Sequence, residues 1–239
     1  MFQSIKRQFR VQWRDWIWAE VAVLGAALAG VGLFLIMTRV LDDTDGGYFG
    51  LGTLLSLVVG AIFSAMMTGG QMMVSFQTQI AMGSTRKQFF VSYYIVCLVE
   101  SLVLMVWLLG IAAAENILAT EVFGGEQEID FVPYLLRYGF LAVVGLNSLG
   151  ALFGAMILRF GKTAFWTLWV IWMLGALGIP RVHNAAKQAP DSIWAQIERM
   201  TQSAFGGLQN NTWVVLGGLL SLIFLGISWI SLRRQQVNV

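Results

Sequence analysis

The sequence predicts an all-α integral membrane protein of six transmembrane helices, and three observations carry that expectation. Hydrophobic residues make up 57% of the 239-residue chain and charged ones 12%, with a mean hydropathy of +0.71, more apolar side chain than a soluble core of this size can hold. The apolar residues gather into six runs, 17–38, 51–74, 89–114, 132–158, 163–179 and 213–232, each close to the roughly 20 residues needed to cross about 30 Å of hydrocarbon. Cations concentrate in alternate connections. Lys6, Arg7, Arg10 and Arg14 precede the first run, Arg86 and Lys87 follow the second, Arg159 and Lys162 the fourth, and Arg233 and Arg234 the sixth. By the positive-inside rule both termini are cytoplasmic. The opposite side receives Asp42, Asp43 and Asp45 in one loop and Glu115, Glu121, Glu126, Glu128 and Asp130 in another.

Taken in order, residues 1–16 come first. At 100° per residue Phe2, Ile5, Phe9, Trp13 and Trp16 fall within an arc of roughly 80°, beside Lys6, Arg7, Arg10 and Arg14 on the next arc. That pattern predicts an amphipathic helix lying on the inner leaflet before the chain turns into the membrane; the plainer alternative is a charged flank that only sets topology. The first run is longer than a signal-peptide core, and no small-residue cleavage site follows it, so it reads as a retained helix. Gly25, Ala29 and Gly32 give it a small-residue face suited to a dimer seam. Gly60, Ala61, Ala65, Gly69, Gly70 and Gln71 give the second run another, for close contact within the chain or between protomers.

The segment "AMGSTRKQFF", Ala81 to Phe90, separates the second and third runs. Thr85 and Gln88 have the spacing of a capping box, in which each side chain satisfies an orphan amide at a helix start, so the third helix is expected near Arg86. Residues from Gln77 to Ala81 are expected to form a short polar helix, with Gly83 supplying the bend. Met82 then stands at the tip beside Arg86 and Lys87. Two uses fit: cations snorkelling to lipid phosphates, or a docking surface for a soluble partner.

Polar residues inside the spans come next. Glu100 lies eleven residues into the third run, about 16 Å from its inner end at 1.5 Å per residue, where an ionised carboxylate must be paired, protonated or facing water. Arg137, about 8 Å inside the fourth run by the same rise, and Asn147, nearer its middle, are the candidate partners. Glu100 either ties helices together or takes part in the translocation path or in cation coupling. Cys97 is the single cysteine, which excludes an intramolecular disulfide and a cysteine metal cluster. "MILRFGKT" imitates the end of a phosphate-binding loop at Gly161, Lys162 and Thr163, but Met156 stands where that loop needs glycine, and a membrane span precedes it in place of a strand. It reads as a basic turn. Trp166, Trp169 and Trp172 give the fifth run one aromatic face. Residues 180–212 are expected to form an outer loop with a short helix, in which Ile193, Ile197, Met200 and Ala204 recur at helical spacing; part of it could re-enter the membrane under protein cover. His183, the single histidine, has no ligand set near it in sequence. No internal repeat is visible, so the inverted-repeat signature of many secondary carriers is missing.

The layout of an amino-terminal amphipathic helix, six spans, a "GSTRKQFF" loop after the second span and a helical outer segment before the last resembles the membrane subunit of a type-2 ABC exporter. The sequence match is confined to about ten residues, among them Gly83, Ser84, Arg86, Lys87, Phe89 and Phe90. The resemblance implies that 77–88 is a coupling element seated in a separate ATP-binding subunit, with Gln79, Met82, Gly83, Ser84, Thr85, Arg86 and Lys87 as contact residues. It implies that 1–16 is a connecting helix, with Phe2, Ile5, Phe9, Arg10 and Trp13 against the same subunit. Two permease copies and two ATPases would make the transporter in a bacterial cell membrane, and ATP-driven closure of the ATPase pair would push the coupling elements together and send an amphipathic peptide or lipid-like cargo outward. The chain itself is then no enzyme and holds no cofactor; ATP and magnesium belong to the partner, the remaining contacts are with lipid, and nucleic acid is not a partner. A self-contained cation-coupled carrier or channel using Glu100, and a non-transporting scaffold or sensor subunit, are the alternatives.

Overall fold

The computed structural model describes residues 2–41, 49–122, 129–188 and 210–235, together with 193, 196 and 199. It contains the helices α1 (Phe2–Leu41), α2 (Leu51–Ala81), α3 (Arg86–Val122), α4 (Phe131–Phe160), α5 (Lys162–Gln188) and α6 (Asn210–Arg233), and no strand among the described residues. Five of them, α1 to α4 and α6, are long and apolar enough to cross a membrane. The expected span at 163–179 lies in α5, where side chains from 176 onward fall outside the described set.

Four expected boundaries differ. The helix expected at 1–16 and the span after it are one 40-residue helix with no turn between them, because no glycine or proline stands before Gly25 and nothing else in the stretch breaks the backbone ladder. The short helix expected at 77–81 is likewise the last part of α2, which runs unbroken to Ala81. On the opposite side α3 continues to Val122, so Glu115 and Glu121 are helical and not in a loop. Of the region 180–212, α5 reaches Gln188, and Ile193, Gln196 and Arg199 are helical and exposed. The expectation of re-entry, and those at Ile197, Met200 and Ala204, lie outside the described residues.

α4 is the hub, packing against α2, α3, α5 and α6, while α1 lies along α2 and α3; among the described residues α5 touches α4 alone. Lipid tails are as apolar as leucine, so close helix approach must come from small residues and polar ties. Both are present. A Cβ on Gly154 would lie 2.6 Å from the Gly69 carbonyl oxygen, and one on Gly150 2.7 Å from that of Ala65, so α2 and α4 meet backbone to backbone within the chain. α1 and α2 cross as tightly at Gly30 and Gly52, whose Cα would be 2.5 Å from a Cβ on Gly30. Gly25 and Gly32 meet nothing within 4 Å, so that face of α1 is open.

One end of the bundle gathers the cation-bearing segments. There Phe76 of α2 meets Phe89 of α3 edge to face at 5.3 Å, Phe89 stacks on Tyr93 at 5.5 Å, and Leu232 of α6 completes the buried cluster with Leu158 of α4 packed against it. The start of α1 joins the same end through Ser4 and Ser92, whose hydroxyls lie 3.1 Å apart.

Candidate functional site

The 82–85 turn is built by local rules. Gly83 takes φ +84°, a left-handed conformation that costs a side-chain-bearing residue about 1–2 kcal/mol. The amides of Met82, Gly83 and Ser84 donate to the Thr78, Ile80 and Gln79 carbonyls and so close α2. The expected capping box is present, with the Gln88 amide donating to the Thr85 hydroxyl at 3.2 Å and the Thr85 amide to Gln88 Oε1 at 3.4 Å. α3 therefore starts at Arg86, as its spacing predicts. Met82, Thr85 and Lys87 are exposed, while Gln79 is buried and receives the Ser84 hydroxyl at 3.4 Å. Arg86 acts as a brace, since its guanidinium donates to the Arg233 carbonyl at 2.5 Å and satisfies an orphan acceptor at the end of α6. Phe89 is core and Phe90 packs on Trp229 at 5.6 Å, so the aromatic pair anchors the turn from beneath.

The amino-terminal stripe divides differently from its helical-wheel reading. Phe9 and Trp13 are exposed, as is Arg10, and Ile5 is half-buried; the Phe2 side chain is outside the described residues. The face of α1 that packs inward carries Gln8, Gln12, Trp16, Ala19 and Val23, all buried. The wheel selects the apolar arc, but the seam with α2 and α3 runs one arc over, through two glutamines that hydrophobicity alone would place outside.

Inside the bundle the polar residues form ties, though not the ones expected. Asn147 is fully buried. Its Oδ1 accepts from the hydroxyls of Thr68 at 2.7 Å and Ser101 at 3.3 Å, its amide donates to the Val143 carbonyl at 2.8 Å, and Ser64 lies 3.0 Å from Ser101. The Tyr93 hydroxyl adds a bond to the Thr68 carbonyl. This network joins α2, α3 and α4 at one level. Glu100 is not in it. Asn147 spends its hydrogen bonds elsewhere, Arg137 is exposed with its guanidinium 5.2 Å from the Tyr138 ring centroid, and neither pairs with the carboxylate. Glu100 is 6% exposed and neither of its oxygens has a hydrogen-bond partner.

A buried carboxylate that does tie helices is Glu115. It is buried, and it accepts from the amides of Gly52 at 3.0 Å and Thr53 at 2.7 Å. α2 has Gly50 at its N-cap, with no side-chain cap of its own, so α3 supplies the missing acceptor and places negative charge at the positive end of the α2 dipole. Nearby, Asp130 caps α4 by accepting from Val132 at 3.0 Å and takes a bond from the Asn116 amide at 2.9 Å. The available sequence signal that Glu115 is helical is its place about four turns past Glu100 with no glycine or proline between Gly110 and it to end the helix.

Between α2, α3 and α4 lies a crevice of about 70 Å³ lined by Gly60, Ser64, Ser101, Met105, Gly139 and neighbouring apolar residues, with room for a few waters. On α5 Trp166, Trp169 and Trp172 are all exposed, the first two edge to face at 5.8 Å. Cys97 is a buried free thiol. Among the described residues no group of three or more histidine, cysteine, aspartate or glutamate side chains is gathered to hold a metal. No protein-family model, no curated protein and no solved structure matches the chain.

Proposed function

We propose that this chain is the permease subunit of an ATP-driven exporter, a six-span protein of the bacterial cell membrane with both termini cytoplasmic, working as a dimer with a separate ATPase. The observation that carries the reading is the 82–85 turn, a rigid element closed by Gly83 and the Thr85–Gln88 box that presents Met82, 60% exposed, next to exposed Lys87. An apolar tip rimmed by a cation is suited to seat in a partner's groove, and the aromatic anchor of Phe76, Phe89 and Tyr93 beneath it couples a push there to α2 and α3. Phe9, Arg10 and Trp13, exposed on α1, extend the same end. In this reading the path for an amphipathic peptide or lipid-like cargo runs between two copies.

The test is co-purification with the ATPase encoded nearest to this chain, comparing wild type with Met82→Glu and Lys87→Glu, followed by ATPase activity in nanodiscs. Arg86 is a poor probe because its loss also uncaps α6. Complex formation weakened by Met82→Glu at unchanged thermal stability supports the reading; an ATPase that never associates, or a tip that tolerates both charges, removes it. A self-contained cation-coupled carrier is the second reading, and the unpartnered Glu100 is what favours it.

A further inference from the structure

The seam between α1 and α3 has a readable register. Ser4 faces Ser92 at 3.1 Å, and Trp16 shares a buried cluster with Leu104. Carried along two helices running the same way, the Ser4–Ser92 offset brings Trp16 level with Leu104, in keeping with their shared cluster, and puts Gln12 on α1 and Glu100 on α3 at one height. At 100° per residue each also lies between its two anchors in angle, which turns both toward the seam. Gln12 is fully buried, and neither its amide oxygen nor its nitrogen has a partner; the same holds for both oxygens of Glu100. Gln71 of α2 adds a third buried side chain: its amide donates to Asp15 at 3.1 Å, nearly one turn along from Gln12, and its own oxygen is unpartnered.

Unpartnered oxygens in a low-dielectric seam require a donor or a cation. The charges that act on Glu100 are both negative, Glu20 and Asp15 of α1, and its titratable neighbours on α3 are Tyr93 and Cys97. No protein cation is among these groups, and the buried donors on the facing stretch of α1, the Gln12 amide nitrogen and the Trp16 indole N–H, make no hydrogen bond to Glu100. Carboxylate and amide oxygens are the ligands that hard cations select. Among the described residues the acids are not gathered into a three-ligand shell, so a divalent ion finds too little charge, whereas a single buried carboxylate balances one positive charge.

We propose that Glu100, Gln12 and Gln71 form a binding site for a monovalent metal cation of sodium's kind in the α1–α2–α3 seam, with Asp15 and Glu20 as its acidic approach. The site needs no ATPase and stands or falls independently of the exporter reading. Its use is to hold α1 against the α2–α3 pair in a cation-dependent way.

The experiment is thermal unfolding of the purified full chain in detergent, in sodium chloride against choline chloride at equal ionic strength and fixed pH. Sodium at about a hundredfold over its Kd multiplies the folded-to-unfolded ratio about a hundredfold, which for a chain of this size is a midpoint rise of roughly 5–10 °C. Glu100→Gln, an isostere without the charge, is expected to abolish the rise while melting in choline no lower than wild type, and Gln12→Met to reduce it. Should Glu100→Gln fail to fold, radioactive sodium binding to wild type, saturable and competed by excess unlabelled sodium but not by choline, gives the same decision. Equal melting in both salts, a sodium response that survives in Glu100→Gln, or a response to pH alone overturns the proposal.

Discussion

Removing the Glu115 carboxylate is expected to loosen the start of α2 by an amount that its geometry sets. The side chain is 2% exposed and holds two amides, at 3.0 and 2.7 Å, on a helix with no side-chain cap of its own. A hydrogen bond to a charged group contributes about 1.5–3 kcal/mol, and interhelical bonds in membrane proteins average about 0.6 kcal/mol with a maximum near 1.7. Two such bonds plus the dipole interaction of about 0.3–1 kcal/mol therefore put Glu115→Ala at about 3 kcal/mol. For a chain of this length that lowers the melting midpoint by roughly 6–12 °C. Glu115→Gln keeps one acceptor but points an amide N–H at the other donor, so it is expected to recover less than half. The assay is tryptophan-fluorescence melting in detergent, read by the chain's ten tryptophans. The neighbouring Thr53 hydroxyl is buried without a partner, so Thr53→Val keeps the shape, drops an unpaired group and is expected to raise the midpoint slightly. If Glu115→Ala melts within a degree of wild type, or Thr53→Val costs as much as Glu115→Ala, the capping account is wrong.

The remaining expectations use the same melting assay. Gly154→Ala places a methyl group 2.6 Å from the Gly69 oxygen and is expected to cost about 1–3 kcal/mol by forcing α2 and α4 apart; Gly32→Ala, with nothing within 4 Å, is expected to be neutral or stabilising by up to about 1 kcal/mol through helix propensity. Asn147→Leu removes the acceptor that joins α4 to the Thr68 and Ser101 hydroxyls, which keep Ser64 as a partner, and is expected to cost about 1–2 kcal/mol, whereas Arg137→Leu, on an exposed side chain, is expected to change the midpoint little. Gly83→Ala, at φ +84°, is expected to cost about 1–2 kcal/mol and to raise proteolytic nicking at the turn.

Local rules in the sequence are enough to locate the capping box at Thr85 and Gln88, the bend at Gly83, the turn at Gly161 and the extents of α4 and α6, because each depends on residues within one or two turns. The packed faces are less legible. A helical wheel ranks Phe9 and Trp13 above Gln8 and Gln12, but which arc of α1 turns inward depends on the approach allowed by Gly30 and Gly52, two residues on different helices. Glu115 escapes a sequence reading for the same reason: its partners are amides on α2, which no pattern along α3 reveals. Gly69 offers a close contact without saying with which helix, and only the meeting with Gly150 and Gly154 assigns it to the interior of one chain.

The unbroken course of α1 has a mechanical meaning. A helix without a hinge tilts as one piece, and a tilt with its pivot at the close crossing of Gly30 over Gly52 would have to shift the packed stretch from Gln8 to Val23 as well. From there the rod extends about 42 Å to Phe2 and about 16 Å to Leu41 at 1.5 Å per residue. A tilt of about 5° moves the Phe2 end by nearly 4 Å and the far end by little more than 1 Å, on those same lengths. Small rotations at the pivot thus become large excursions where Phe9, Arg10 and Trp13 are exposed, and a force applied there acts on the crossing through the longer arm of a lever.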